Sequence, residues 1–435
     1  MGLSPVKTIL MAVFAVGALC IVAAAPTVTK RSGDKMTFSN RDQTVTYEGN
    51  ATFIDGGNRI ISDIMRFQLD ENRAYCQGNV RIFLTNNVLI TAGRVDYSEQ
   101  SKLAKVTQRP VLRMRDEQVT IRSERMERAL DADITRAVGD VSIERVNQET
   151  GETVYGYGGI LSHASGNNIV TLSDSPRIIH KGNTITGEVM EYTVARESIE
   201  VYGDARIRFR PRGEGDENLE NTIAGDRVYY IKDNISNFVR AYGSVKVHIP
   251  KNNIVIRGGF AAYDIDSSAA SMRESPVVHF LERESSIAAD TIDYATVDEK
   301  DIVDFTGNVL IVENRSGLIV TAGQLKSFIN DGYSKITVAP VAYLTREDVI
   351  VTAVYFEQFE AKHKMRANGN VVVRREAVTA YADIAVYDIQ ANTIKLWGGI
   401  PKLVQEGRII NAREITMDVK TGRVELTQPQ GAFAP

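Results

Sequence analysis

One short string recurs along this 435-residue chain: a glycine, then Asn, Asp or Ser, then an apolar residue, beginning at Gly49, Gly78, Gly139, Gly203, Gly243, Gly307 and Gly369. Between these stand proline units at Pro110, Pro176, Pro276, Pro340 and Pro401. Merged, the twelve marks are spaced 29, 32, 29, 37, 27, 40, 33, 31, 33, 29 and 32 residues apart. A period near 32 residues signals a repeat architecture, in which each unit buries its apolar side only by stacking on its neighbours. The two widest gaps hold stretches rich in Gly, Asn and charge, 149–168 and 211–221, which read as loops inserted into a rung.

Within a unit the hydrophobic period is two. Val141 and Ile143 alternate with Ser142 and Glu144; Ala205, Ile207 and Phe209 with Arg206, Arg208 and Arg210; Val245, Val247 and Ile249 with Lys246 and His248. Such alternation predicts strands with one wet face. A second strand follows in each unit and ends on an aromatic, as at Tyr97, Tyr192, Tyr229, Tyr263, Tyr294, Phe328 and Tyr387. Its middle carries a small residue (Ala92, Gly187, Ala224, Gly258, Ala288, Ala322, Ala380), which marks a bend, a close approach, or space on the inner face. β-branched and aromatic residues dominate, prolines sit at unit boundaries, and no long run has period 3.6. The reading is an all-β antiparallel fold of repeats of about 30 residues.

A single compact core stops growing well before 435 residues, so the chain is several domains or an elongated repeat. A formal charge of -4 with acids and bases interspersed gives no broad basic field and argues against a nucleic-acid partner. At the N-terminus, Lys7 precedes an uncharged apolar run from Ile9 to Ala25, which is an export signal. Val22-Ala23-Ala24 suits a signal peptidase, and the run is at the short end for a membrane span, so it reads as a cleaved signal or a retained inner-membrane anchor helix. Leu19 before Cys20 is too large for a lipoprotein site. After export only Cys76 remains, which cannot form an internal disulfide and reads as a buried small hydrophobe. The organisation expected is 1–25 signal or anchor, 26–36 linker, 37–428 repeat region with a subdivision near 211–221, and 429–435 tail.

The strings GNVLIVENRSGLIVTAGQLKSF (307–328) and GNVVVRREAVTAYADIAVYD (369–388) resemble the OstA/LptA family of lipopolysaccharide-transport proteins, which also includes LptC and the periplasmic part of LptD. The resemblance runs from about Thr37 to Thr427, loosely over Gln148–Asp216. It implies a β-jelly-roll folded like a taco: two antiparallel sheets meeting at a V, with an apolar groove that carries lipid A acyl chains. It further implies jelly rolls that stack edge to edge in the periplasm, as a bridge between inner and outer membranes. The chain is more than twice the length of a typical bridge subunit and lacks a C-terminal set of barrel strands.

On this reading the groove is lined by Ile82, Ile90, Val141, Ile143, Ile185, Ile207, Phe209, Val245, Val247, Ile256, Val309, Ile311, Val320, Val371 and Val373. About 40 strands shared by two sheets would span roughly 95 Å, and each acyl CH₂ buried would contribute about 0.8 kcal/mol. Partners implied are lipopolysaccharide or another acylated envelope lipid, other jelly-roll proteins at both ends, and self-association. Docking edges are expected near Thr37–Phe53 and Ile409–Leu426.

Other residues carry less. His163, His180, His248, His279 and His363 are scattered, read as surface or rim residues, and imply no metal. The pairs Asp131 and Asp133, and Asp264 and Asp266, read as solvated faces, and no catalytic constellation or cofactor is expected. The run 208–212 reads as a solvent-facing arginine stripe, with lipid phosphate as the other reading. Gly156–Gly159 reads as a flexible loop tip. A filled β-solenoid serving as a spacer or scaffold is the alternative to a carrier. A carbohydrate-active β-helix enzyme would need convergent Asp, Arg or Lys at matching rung positions, which are not found.

Overall fold

The computed structural model describes residues 29–430 apart from positions 86, 117, 131–133, 147–150, 152, 165–168, 181–182, 194–197, 210–219, 233–236, 251–252, 265–266, 268 and 299. Among the described residues the protein is an all-β antiparallel jelly roll, with a 3-10 turn at Glu360–Lys362. The chain divides into two compact units. The N-terminal unit comprises 1–217 and 224–239, the C-terminal unit 218–223 and 240–435.

In the N-terminal unit Thr44–Asp55 pairs with Asn58–Gln68, which pairs with Arg73–Phe83 and then Val88–Ser98. Every one of these long ladders slips register in the middle, between Glu48 and Ala51, Ile61 and Ile64, and Gln77 and Val80. The next rung breaks at the same height: Leu103–Thr107 covers one half of Val88–Ser98, Val111–Met114 covers the other, and Pro110 sits near the corner. Each rung is therefore bent, and its halves belong to two arms. The first arm holds Ala51–Asp55 and Val111–Met114; the second holds Thr44–Glu48 and Leu103–Thr107. The C-terminal unit repeats the scheme, with slips between Thr306 and Val309 and between Asn368 and Val371, and a proline corner at Pro340.

The recurring glycines make the bend. Gly78 and Gly307 have φ +73° and +75°, and the following Asn79 and Asn308 are also left-handed at +44° and +43°. Glycine takes this conformation freely and Asn tolerates it. At the proline corners two left-handed residues precede the ring, as at Gln108–Arg109 and Val338–Ala339. Stacked on the glycine of one rung is the side chain of a residue from the rung before, where a Cβ would collide: Asp63 on Gly78, Glu124 on Gly139, Glu188 on Gly203 and Asp290 on Gly307. Asn79 Nδ2 then donates to Asp63 at 2.9 Å, and Asn308 Nδ2 to Asp290 at 2.9 Å. The vertex of the V is thus a column of glycines and acids.

Period-two alternation sends apolar side chains inward from both arms. Phe53 on the first arm meets Phe67 and Tyr97 on the second with ring centroids 5.3 and 5.5 Å apart, and all three are buried. In the C-terminal unit Leu344, Val349 and Val373 of one arm and Leu325, Ile336 and Phe356 of the other are buried likewise.

Several expectations are corrected. The stretch 26–36 is not wholly linker, because Lys30–Ser32 and Lys35–Ser39 already pair with Thr44–Asp55. The region 149–168 is not an inserted loop: Thr153–Ala164 is a full bent strand, and Gly156–Gly159 lies inside it. Those glycines serve close approach, since a Cβ on Gly158 would stand 2.9 Å from Leu172. The small residues of the second strands reflect curvature at the vertex; a Cβ on Gly187 would stand 2.5 Å from Val201. The tail is not wholly unpaired, since Gln430 bridges Asn411. The export segment and most of the 211–221 stretch lie outside the described residues.

Gly78→Val should lower the unfolding free energy read from urea titration by about 2–4 kcal/mol, through left-handed strain plus collision with Asp63. Gly151→Ala, also at positive φ but with open space around its Cβ, should cost about 1 kcal/mol. Equal losses would show that stacking at the vertex contributes nothing.

Candidate functional site

The space between the arms is the candidate site. Of the fifteen residues expected to line a groove, Ile82, Ile90, Val141, Ile143, Ile185, Ile207, Val245, Val309, Ile311, Val320, Val371 and Val373 are buried. Val247 and Ile256 are part-exposed, and the side chain of Phe209 lies outside the described residues. The buried set packs against its own neighbours. A void of about 10 Å³ lies among Leu344, Val351, Met365 and Tyr387, no more than one water would fill.

Burial is uneven along the rungs. Phe53, Ile60, Ile82 and Ile90 in the N-terminal unit are 0–1% exposed. In the C-terminal unit Ile254, Ile256, Ile287 and Tyr294 are only part-buried, and Tyr263 is 36% exposed. These residues belong to Ile254–Asp264, Ser285–Ala288 and Thr291–Val297, with Ala270–Arg273 and Val277–Phe280 paired between them. Here an apolar inner surface meets solvent.

Opposite the vertex, the hairpin tips of the two arms are joined by side chains. Asp55 at the end of the first arm accepts from Tyr97 Oη at 2.7 Å and Lys102 Nζ at 2.6 Å on the second. Arg31 lies 4.2 Å over the Phe67 ring and reaches Glu99 at 2.5 Å. In the C-terminal unit Arg283 holds Glu360 with two contacts of 3.1 and 3.3 Å, and Arg375 donates to the Val419 carbonyl at 2.8 Å. Each latch links a tip of one arm to a tip of the other, so the open side of the V is closed without shared backbone pairing. Only Asp55 is deeply buried, at 7% side-chain exposure, whereas Arg283 and Glu360 are 64% and 45% exposed. The Tyr387 phenol behind this mouth is pushed up by burial and by Glu347 and Glu313.

The latches were not foreseen. Asp55 carries a readable signal, since it falls on the inward beat after Ala51 and Phe53, where an acid breaks the alternation. Nothing in the sequence links Arg283 to Glu360, 77 residues away. His163 is buried beside Leu161 on an inward beat, so it is no surface histidine. His248 and His279 are part-exposed, His363 is exposed, and the side chain of His180 is outside the described residues. Asp131, Asp133 and Asp266 also lie outside them. Among the described residues no three His, Cys, Asp or Glu side chains form a group that could hold a metal. Arg206 and Arg208 are exposed on Ser198–Phe209. Cys76 is buried, and that burial pushes its thiol up to about 12.

Comparison with known proteins follows the geometry. The family described as LptA/(LptD N-terminal domain) LPS transport protein matches residues 32–198 and 286–423, well over half of the chain. The chain belongs to this family. The LptA/LptD N-terminal family is a transport family and not one of enzymes. Its match extends through 148–198, where the resemblance was loose, and omits 199–285, which includes much of the part-exposed inner surface. Among solved structures, LptH, the LptA homologous periplasmic component of the lipopolysaccharide transport device of Pseudomonas aeruginosa, is similar at 13% identity and TM-score 0.17, over 42% of this chain and 96% of that one. No curated protein matches.

Two outcomes are expected. Asp55→Ala, which removes a buried acceptor of Tyr97 Oη and the ion-pair partner of part-exposed Lys102, should cost about 1–2 kcal/mol, while Glu360→Ala should cost less than about 1 kcal/mol; urea unfolding measures both. For Cys76, the folded thiol lies above its ordinary value of 9.0, so its contribution is complete below pH 9 and fades as pH rises toward about 12. In folded protein at neutral pH the thiol should resist alkylating reagents, and Cys76→Ala should flatten the alkaline loss of stability.

Proposed function

We propose that this chain carries lipopolysaccharide or a related acylated glycolipid across the envelope, between inner and outer membranes, with the acyl chains held between the two arms. The observation that carries the reading is an inner face apolar on both arms and closed on one side only by side chains. The arms part at the mouth without loss of any ladder hydrogen bond. The exposed Arg283–Glu360 pair opposes that by less than about 1 kcal/mol. Packing lost between the arms is offset by acyl chains, at about 0.8 kcal/mol per CH₂. The part-exposed surface around Ile256, Ile287 and Tyr294 is where a chain would first find room.

The end strands support the bridging part of the reading. Among the described residues Lys30–Ser32 and Lys35–Ser39 pair only with Thr44–Asp55, and on them Met36 and Phe38 are 62% and 53% exposed. The N-terminal edge is thus these strands and not Thr44–Asp55, which they cover. At the other end Arg408–Asn411, bridged at Asn411 by Gln430, and Val424–Thr427 are the last described strands of their arms, with Ile409 51% exposed. Such edges accept strands from related jelly rolls or from a second copy.

A second reading, a spacer without cargo, is favoured by one observation: most of the interior is filled by the chain itself. Photoreactive residues at Ile256, Ile287 and Ile311 decide between the two, with outward Lys246 and Ser286 as controls. A carrier captures acylated lipid at the inward sites alone, and mass spectrometry after delipidation recovers it near stoichiometrically. Capture that is absent, or equal at inward and outward sites, makes the protein a spacer.

A further inference from the structure

Cross-strand partners share a face, so the register of the N-terminal unit sorts its charges by surface. On the outer face of the first arm, one row runs from Arg81 through Thr91, Val111, Arg122, Ser142, Tyr157, Arg177 and Thr186 to Arg206. The adjacent row carries Arg59, Arg113 and Arg208. All seven arginines are exposed, and along the two rows Glu144 is the single acid, 3.0 Å from Arg122; the exposed acids Glu124, Asp140, Glu188 and Asp204 stand beside the rows, at the vertex. The corresponding row on the second arm alternates in sign instead, with Arg66, Asp96, Lys105, Glu127, Arg136 and Glu191. Solubility alone does not call for such segregation. It is invisible in a net charge of -4.

The face has a definite texture. Three strand spacings separate Arg81 from Arg122 and Arg122 from Arg177, about 14 Å each, and the rows together extend roughly 43 Å. Between the charges stand Phe83, Leu89, Tyr155 and Ile179, and Arg59 lies 4.6 Å over the Phe83 ring and Arg177 5.1 Å over that of Tyr157. A sheet face with single charges at wide intervals and aromatic and aliphatic groups between them suits a laterally extended array of anions, which needs no register. A defined glycan or acidic peptide would be matched by a cleft and by paired polar groups instead. The sequence adds a second argument. The apolar run ends at Ala25 and the first strand begins at Lys30, so at most about 18 Å of chain separates them.

We propose that the outer face of the first arm of the N-terminal unit docks on an anionic phospholipid bilayer, separately from any lipid held between the arms. The proposal does not rest on the carrier reading, since a spacer would dock equally well.

The test is flotation of the full chain with vesicles of about 30 mol% phosphatidylglycerol in phosphatidylcholine, against phosphatidylcholine alone. Any hydrophobic insertion by the N-terminal segment is common to both, so the ratio reports the face. Roughly tenfold preference for the anionic vesicles is expected, fading between about 0.05 and 0.5 M salt. The variant carrying Arg81→Glu, Arg122→Glu and Arg177→Glu should lose the preference with unchanged circular dichroism. Arg→Lys at the same three positions should keep it. In a Cys20→Ser background, a fluorophore at Ser142→Cys should transfer energy to a labelled lipid more than one at Glu127→Cys on the other arm. Equal flotation with both vesicles, retention of the preference by the Glu variant, or capture of a soluble polyanionic glycan in place of vesicles would each overturn the proposal.

Discussion

Every rung of this protein has to turn a corner in the middle of a strand while keeping its ladder hydrogen bonds on both sides. That requirement governs the architecture. A straight sheet of this composition would bury one face of each strand against nothing, and a bent one buries the two halves against each other. The corner is made by a left-handed pair of residues, Gly then Asn, Asp or Ser, or by a left-handed pair before proline. Because a glycine without Cβ leaves a hollow at the vertex, the acid of the preceding rung stacks into it, as Asp63 does on Gly78. Each corner therefore helps to place the next.

From the corner the rest follows by distance. Two arms leaving one vertex converge inside, where Phe53, Phe67 and Tyr97 interlock, and meet again at the tips, where Asp55 and Lys102 or Arg283 and Glu360 join them. Backbone hydrogen bonds run from rung to rung along the vertex and each arm, whereas the contacts that shut the mouth are side-chain contacts. Strength and weakness are thus separated in space. On the carrier reading proposed above, the scaffold would stay intact while its two inner faces move apart. The interior is densely filled in the N-terminal unit and looser around Ile254–Val297, so the cost of opening differs between rungs.

The outer faces carry their own message. Inner faces must be apolar and alike, which leaves outward positions free to vary. In the N-terminal unit that freedom is spent unevenly, with arginines gathered on one arm and mixed charges on the other.

By itself the sequence determined the repeat, the alternation and the place of the bends, because these depend on residues a few positions apart: a glycine with its Asn, two left-handed residues before a proline, an apolar beat every second residue. One further local regularity was there to be found. An acid stands fifteen residues before its glycine in the pairs Asp34 and Gly49, Asp63 and Gly78, Glu124 and Gly139, and Glu188 and Gly203, which is one path down an arm and back. Only the tertiary structure decided which arm each half-strand joins, how far the interior is filled, and which tips touch. Arg283 and Glu360, or Arg81 and Arg177, are brought into relation by accumulated register over several rungs, and register between distant strands is a property of the stacked ladder that no short stretch of chain encodes.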